Sequence, residues 1–202
     1  GEMPYRILTL ERQYASGGRA VGKAVADALG VPCYNREILE YAAERSGQTP
    51  EHLERLEETA NTGLISSLQA AYARLARGER AALPPEGALL LAEAEVIREL
   101  ADEGPCVLIG RSAGCILRDR TDVLRAFLYA DEEARIRRAV DEYGHDENEA
   151  PTVLRYFDRR RANFYNANYS LKWEDKAGYH LCLDTGRLGV AACAKVLLRA
   201  MQ

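Results

Sequence analysis

Ser16-Gly17-Gly18-Arg19 is the segment of this 202-residue chain whose residue types point most directly to chemistry. An apolar run, Arg6-Ile-Leu-Thr-Leu10, leads into it. A helical pattern follows at once, with Val21, Val25 and Leu29 at i, i+4 and i+8 and Gly30 as a stop. Glycines between a strand and a helix allow left-handed backbone and close approach of a ligand. The free N–H groups of the helix start then face an anion. Ala15, Ser16, Gly17, Gly18 and Arg19 thus read as an anion-binding turn, with Arg12 at the strand end as a cation within reach of it; the alternative is a strand–turn–helix corner that needs glycine only for sharpness.

A second register competes with this one. Gly17-Gly-Arg-Ala-Val-Gly22-Lys23 nearly matches the phosphate-loop pattern G-x-x-x-x-G-K-[ST], with Ala24 in place of the final hydroxyl. That register makes Val21 a loop residue, although Val21 belongs to the apolar stripe of the helix. It also sets the first glycine well beyond the strand end. The register with Ala15-Ser16-Gly17 in the turn is therefore preferred, and in it Gly18 stands where a phosphate-loop lysine is expected.

Three further places bring cations to strand ends or helix faces. Arg36 sits at the start of the helix that follows Val31-Pro-Cys-Tyr34, and Arg111 follows the apolar strand Cys106-Val-Leu-Ile-Gly110. The carboxyl ends of such strands are where open α/β sheets bind ligands, and arginine can pair two oxygens of one anion at once. Each has a plainer alternative, a solvated helix-start arginine and a surface turn. Arg155, Asp158 and Arg161 are spaced i, i+3, i+6 near one helix face, in the most basic segment of the chain. Asp158 can hold one arginine while others reach for phosphate; the alternative is a solvated basic helix.

These residues need a frame. Strands are predicted at 6–10, 31–34, 106–110, 123–129 and 179–183. Helices are predicted from Gly18, from an Asn35 cap to Ser46, opening at Thr49-Pro50-Glu51 and continuing over 51–80, over 88–102 after a break at 83–87, over 112–117, from Asp131 to Tyr143, from Pro151 and over 190–201. Strands alternating with helices predict an α/β fold with a parallel sheet of about five strands covered on both faces. No repeat or linker divides the chain, so residues 1–202 read as one domain, with 48–104 as a helical insert. The Leu/Ala spacing of that insert suits a helical lobe, a homo-oligomer interface or both. Aromatic Phe164, Tyr165, Tyr169 and Trp173 suit either base stacking or core packing.

Bulk properties exclude several classes. The hydrophobic fraction is 47%, the charged fraction 29% and the net charge −4, which gives no general affinity for nucleic acid or anionic membrane. The five cysteines form no C-x-x-C pair, and His52, His145 and His180 are isolated. Buried free thiols in a reducing, cytoplasmic setting are expected, with no protein-held metal site. No apolar run reaches the length of a membrane span.

Five segments in order carry a family resemblance: Arg12-Gln-Tyr-Ala-Ser-Gly-Gly-Arg19, Tyr34-Asn-Arg-Glu-Ile38, Val107-Leu-Ile-Gly-Arg111, Asp158-Arg-Arg-Arg-Ala162, and Trp173 with Tyr179-His-Leu-Cys-Leu-Asp-Thr-Gly-Arg-Leu-Gly189. Together they resemble the cytidylate kinase-like family of P-loop kinases over nearly the whole chain. The resemblance implies a P-loop kinase fold and ATP-dependent phosphoryl transfer to a nucleoside monophosphate, CMP or a related small acceptor. Mg²⁺ would be bound mainly through phosphates. It implies that Arg12 and Ala15–Arg19 hold ATP phosphates and that Arg36 and Arg111 grip the acceptor. Residues 144–176 become a lid in which Arg155, Asp158 and Arg161 act, with Arg19, Asp158 and Arg161 as catalytic residues. The loop Asp184-Thr185-Gly186 is placed near the adenine, or else caps the last helix. The sequence departs from the pattern at Gln13 and Ala15, and Ser112 stands where cytidylate kinases carry Asp. With Gly18 in the lysine's place, a nucleotide-binding sensor or assembly module with little kinase activity is the alternative.

Overall fold

A computed structural model of the chain describes residues 4–59, 85–168 and 172–202, together with Ala70, Arg74, Arg77 and Gly78. Five strands, β1 (Ile7–Arg12), β2 (Cys33–Tyr34), β3 (Cys106–Ile109), β4 (Val123–Tyr129) and β5 (Leu181–Asp184), form one sheet in the order β2-β3-β1-β4-β5. Every pairing is parallel, with Ile7 beside Cys106 and Val123 in the central register. The predicted five-stranded parallel sheet is thus observed.

Strand period explains the two cores. Ile7, Cys106, Leu108 and Val123 face one side, where α2 (Arg36–Ser46), α3 (Pro50–Thr59) and α4 (Pro85–Glu103) bury Leu39, Leu53 and Ile97. Leu8, Leu10, Val107 and Ile109 face the other side, against Val21 and Val25 of α1 (Gly18–Leu29) and Leu197 of α9 (Val190–Met201). Both faces of the sheet are therefore dry, as a parallel sheet requires. The short α5 (Ala113–Ile116) and α8 (Thr185–Leu188) follow β3 and β5, while α6 (Glu132–Asp141) and α7 (Ala150–Asn168) lie between β4 and β5.

Helix α3 opens at Thr49-Pro50 as the sequence predicts, with Thr49 Oγ1 accepting from His52 N at 3.2 Å. Other boundaries differ. The sequence predicts a break over 83–87 and a helix only from 88. Instead α4 opens on Pro85, because proline at a first helical position loses no intrahelical hydrogen bond. Most of residues 60–84, over which the predicted helix 51–80 continues, and Tyr169 lie outside the described residues. Trp173 and Tyr165 are buried with Cys115 and Phe127, so these two aromatics pack the core. Cys106, Cys115 and Cys193 are buried and Cys33 is partly so, whereas Cys182 is exposed because it faces outward from the edge strand β5.

No helix among the described residues is long and apolar enough to cross a membrane.

Candidate active site

The loop joining β1 to α1 has the preferred register. Gly17 is left-handed, with φ 82°, and α1 begins at Gly18. Val21 is fully buried. Gly22 is a packing glycine, since a Cβ there would lie 2.8 Å from Ile109 Cδ1. Lys23 points to solvent and pairs with Asp27 at 2.7 Å, so it is not a phosphate ligand. Ala15 also has positive φ, 58°. An alanine there carries about 1–2 kcal/mol of strain that a glycine would avoid.

Six successive loop carbonyls are tied back. Arg161 Nη1 donates to Arg12 O at 3.0 Å, Ser16 Oγ to Gln13 O at 2.7 Å, and Arg135 Nη1 to Tyr14 O at 3.4 Å. Arg138 Nη1 donates to Ala15 O at 3.3 Å, Thr185 Oγ1 to Ser16 O at 2.6 Å, and Val21 N to Gly17 O at 3.0 Å. With the carbonyls engaged elsewhere, the N–H groups of Gly18, Arg19 and Ala20, which have no intrahelical acceptor, are left for a ligand. The loop borders a cavity of about 230 Å³ lined by Arg12–Arg19, Asn35, Tyr143 and Arg161.

Asp158 anchors this arrangement. Its Oδ1 accepts from Tyr14 N at 2.7 Å and its Oδ2 pairs with Arg135 Nη1 at 2.7 Å. Asp158 therefore holds an arginine of α6 rather than a helical neighbour of its own. Tyr14 stacks on Phe157 with centroids 4.3 Å apart, and Arg161 lies over the Tyr14 ring. Helix α7 is thus fastened to the loop by Phe157, Asp158 and Arg161. Arg155 is elsewhere, exposed beside Glu132 and Thr152. The structure brings Asp158 and Arg161 to the loop and leaves Arg155 out.

A second cavity, of about 300 Å³, adjoins the first and shares Arg12, Arg19, Asn35 and Arg161 with it. Arg36, Arg111 and Arg160 bring further cations, and Glu11, Glu54 and Glu57 the carboxylates. Arg36 is half exposed and pairs with Glu54 at 3.2 Å. Arg160 pairs with Glu58 at 3.0 Å. Arg111 emerges from β3 through three successive left-handed residues, Gly110, Arg111 and Ser112, with φ 74°, 52° and 55°. Such strain in non-glycine residues persists only where surroundings enforce it. Here Ser112 N donates to Glu11 Oε1 at 3.1 Å, while Arg111 Nη1 donates to Asn35 O at 2.9 Å and Asn35 Oδ1 at 3.2 Å. The Asn35 side chain is therefore given to Arg111 and does not cap α2 as the sequence suggested.

Two buried carboxyl clusters support the floor. Glu11 accepts from Ser112 N and from Trp173 Nε1 at 3.2 Å. Burial raises its pKa, against the lowering pull of the Arg12 charge and the Trp173 hydrogen bond. Glu93, from α4, lies 3.6 Å from Arg111 Nε, and Glu57 lies 3.2 Å from the same atom. Burial and then the neighbouring Glu57 raise the Glu93 pKa well above its ordinary value, against the lowering pull of Arg111.

Sequence reasoning missed Glu11, Glu57, Glu93, Arg135 and Arg138, which carry no local signal because each is an ordinary residue of its strand or helix. Asn35, Arg160 and Thr185 lie in segments that the sequence marks, as a helix cap, a basic helix and the turn after the last strand, but their partners are not readable there. Asp184 caps α8, accepting from Gly186 N at 2.9 Å, and it is Thr185 that reaches the loop.

The sequence matches the cytidylate kinase-like family over residues 7–187. The chain belongs to the cytidylate kinase-like family. No curated protein matches it. Among solved structures it is similar to an uncharacterized protein from Eubacterium ventriosum ATCC 27560, at 21% identity and TM-score 0.71, over 96% of this chain and 97% of that one. It also resembles a gluconokinase from Sinorhizobium meliloti 1021 (17% identity, TM-score 0.53, 100% and 95% covered). A shikimate kinase from Acinetobacter baumannii in complex with shikimate is similar too (16% identity, TM-score 0.52, 96% and 92% covered). These likenesses establish a kinase-like P-loop fold for this family member.

Proposed function

We propose that this protein transfers the γ-phosphoryl group of ATP to a nucleoside monophosphate, CMP or a close relative. The observation that carries the reading is the loop whose carbonyls are tied back beside two adjoining, arginine-lined cavities. The loop cavity takes the triphosphate. The second cavity takes the acceptor, with Arg36 and Arg111 toward its phosphate. The shared arginines then stand where the two phosphate chains meet. Phosphoryl transfer asks mainly for positioning and charge neutralisation.

In the transfer an acceptor phosphate oxygen forms a bond to the γ-phosphorus while the bond to the β–γ bridging oxygen breaks. The electron pair leaves with ADP, and an anionic acceptor oxygen has no proton to lose. Arg161 and Arg19 neutralise the charge on the transferring group, and Asp158 positions the loop. The Ser16 hydroxyl is turned onto Gln13 O, and the helix start offers Gly18 and Arg19 with no hydroxyl. Mg²⁺ fits here as an ion held by phosphate oxygens and water, a mode it favours. When bound, it adds to the neutralisation of the β- and γ-phosphates.

The test is ADP release from ATP and Mg²⁺ with a panel of nucleoside monophosphates. Turnover with a pyrimidine monophosphate is expected. Tight ATP binding by calorimetry without turnover for any acceptor would make the protein a nucleotide sensor or assembly module instead. Absence of binding would defeat both readings.

A further inference from the structure

We propose that Arg12, reaching across the loop from the end of β1, is the phosphate-binding cation that replaces a lysine at position 18. The inference rests on the phosphate-binding reading of the loop and names the residue that completes it. Arg12 has the parity of Leu8 and Leu10, so its side chain leaves the sheet on the α1 side. It runs directly over the helix start. A Cβ built on Gly18 would lie 2.6 Å from Arg12 Cγ and 3.1 Å from both Cβ and Cδ. Gly18 has no left-handed φ to explain its glycine. What requires a glycine there is the Arg12 stem, and a side chain at 18 excludes Arg12 from its present course.

The far end of Arg12 is equally confined. A Cβ on Gly110 would lie 2.7 Å from Arg12 Nη1. Two glycines on different elements thus make a channel for this one side chain, which ends between the two cavities and lines both. Among the described residues no hydrogen bond holds its guanidinium, in contrast to Arg36, Arg111, Arg135 and Arg161. Arg161, Arg111 and Arg19 add like charge around it, and Glu11 is the opposing neighbour. A confined cation with open donors among other cations calls for a polyanion, and a guanidinium can meet two phosphate oxygens at once. Arg19, by contrast, is exposed and no glycine channel fixes it.

Calorimetric titration with inorganic tripolyphosphate and with MgATP tests the assignment in five proteins: the unaltered chain, Arg12→Met, Arg19→Ala, Gly18→Lys, and Arg12→Ala combined with Gly18→Lys. Met keeps the apolar stem over Gly18, and melting curves verify folding. Arg12→Met is expected to weaken both ligands by roughly 10- to 100-fold, the weight of a charge-assisted pair, and Arg19→Ala by less. The double variant, with the stem removed and a lysine in its place, is expected to regain most of the affinity. Equal affinity of Arg12→Met and the unaltered chain overturns the proposal. So does a Gly18→Lys single variant that folds and binds more tightly with Arg12 in place. Failure of the unaltered chain to bind either ligand would instead sink the phosphate-loop reading itself.

Discussion

Single residues in this site are set by burial and by the charges beside them. Glu93 is the clearest case, a fully buried carboxyl whose pKa is raised well above the usual value by burial and then by Glu57. As pH rises from the ordinary carboxylate range toward that raised value, the unfolded chain releases this proton while the folded chain keeps it. Folding stability therefore falls with rising pH over that window. Glu93→Gln keeps the shape and removes the titration. Urea midpoints taken at pH 5 and pH 8 should differ less in the variant than in the unaltered chain; parallel profiles would contradict the raised pKa. Lys23 makes the opposite point. Its charge is spent on Asp27 at the surface, so Lys23→Ala should leave MgATP affinity unchanged in calorimetry, despite its place in a near-match to the phosphate-loop pattern.

At the scale of elements, α7 and α6 hold the loop that β1 and α1 create. Asp158 links all of them, through Tyr14 N and Arg135. Asp158→Ala leaves the mostly buried Arg135 charge unpaired and should lower stability by about 3 kcal/mol, read from urea denaturation. A loss under 1 kcal/mol would mean that the clasp is not holding the loop. Gly22 fixes how closely α1 approaches the sheet. Gly22→Val forces a side chain into Ile109 and Leu10 and should destabilise by about 1–3 kcal/mol through overpacking. The melting temperature of that variant compared with Lys23→Ala discriminates directly between the two loop registers.

For the whole molecule, the site assembles where β1, β2, β3 and β5 all end. Glu11 and Arg12, Asn35, Gly110–Ser112 and Thr185 come from four different strand ends, as the carboxyl edge of a parallel sheet allows. The net charge of −4 hides a cationic pocket of Arg12, Arg19, Arg111 and Arg161. A ligand that neutralises it binds only the folded chain. At a hundred times its Kd, MgATP should add about 2.7 kcal/mol, raising the melting temperature by roughly 5–10 °C for a domain of this size. Added salt should reduce that shift by screening the exposed part of the cluster. A melting temperature indifferent to MgATP would argue against triphosphate binding.

The sequence by itself determined the parallel sheet and the register of the loop. Both are local: apolar strands alternate with helical stripes, Val21 must face the core, and Gly17 supplies a left-handed turn. Ordered segments from Arg12 to Gly189 made the family legible as well. Only the tertiary structure decided what the segments do to one another. Glu11 reads as the end of a strand, Glu93 as one acid in a Leu/Ala helix, and Arg135 and Arg138 as a solvated helix face. Their roles arise from partners 101, 36, 121 and 123 positions away, in Ser112, Glu57, Tyr14 and Ala15. The replacement of the lysine is of this kind. Gly18 shows that a side chain is absent, but the reason is that another strand residue, Arg12, fills the same volume. Excluded volume and desolvation act between atoms close in space, and chain order alone does not say which those are.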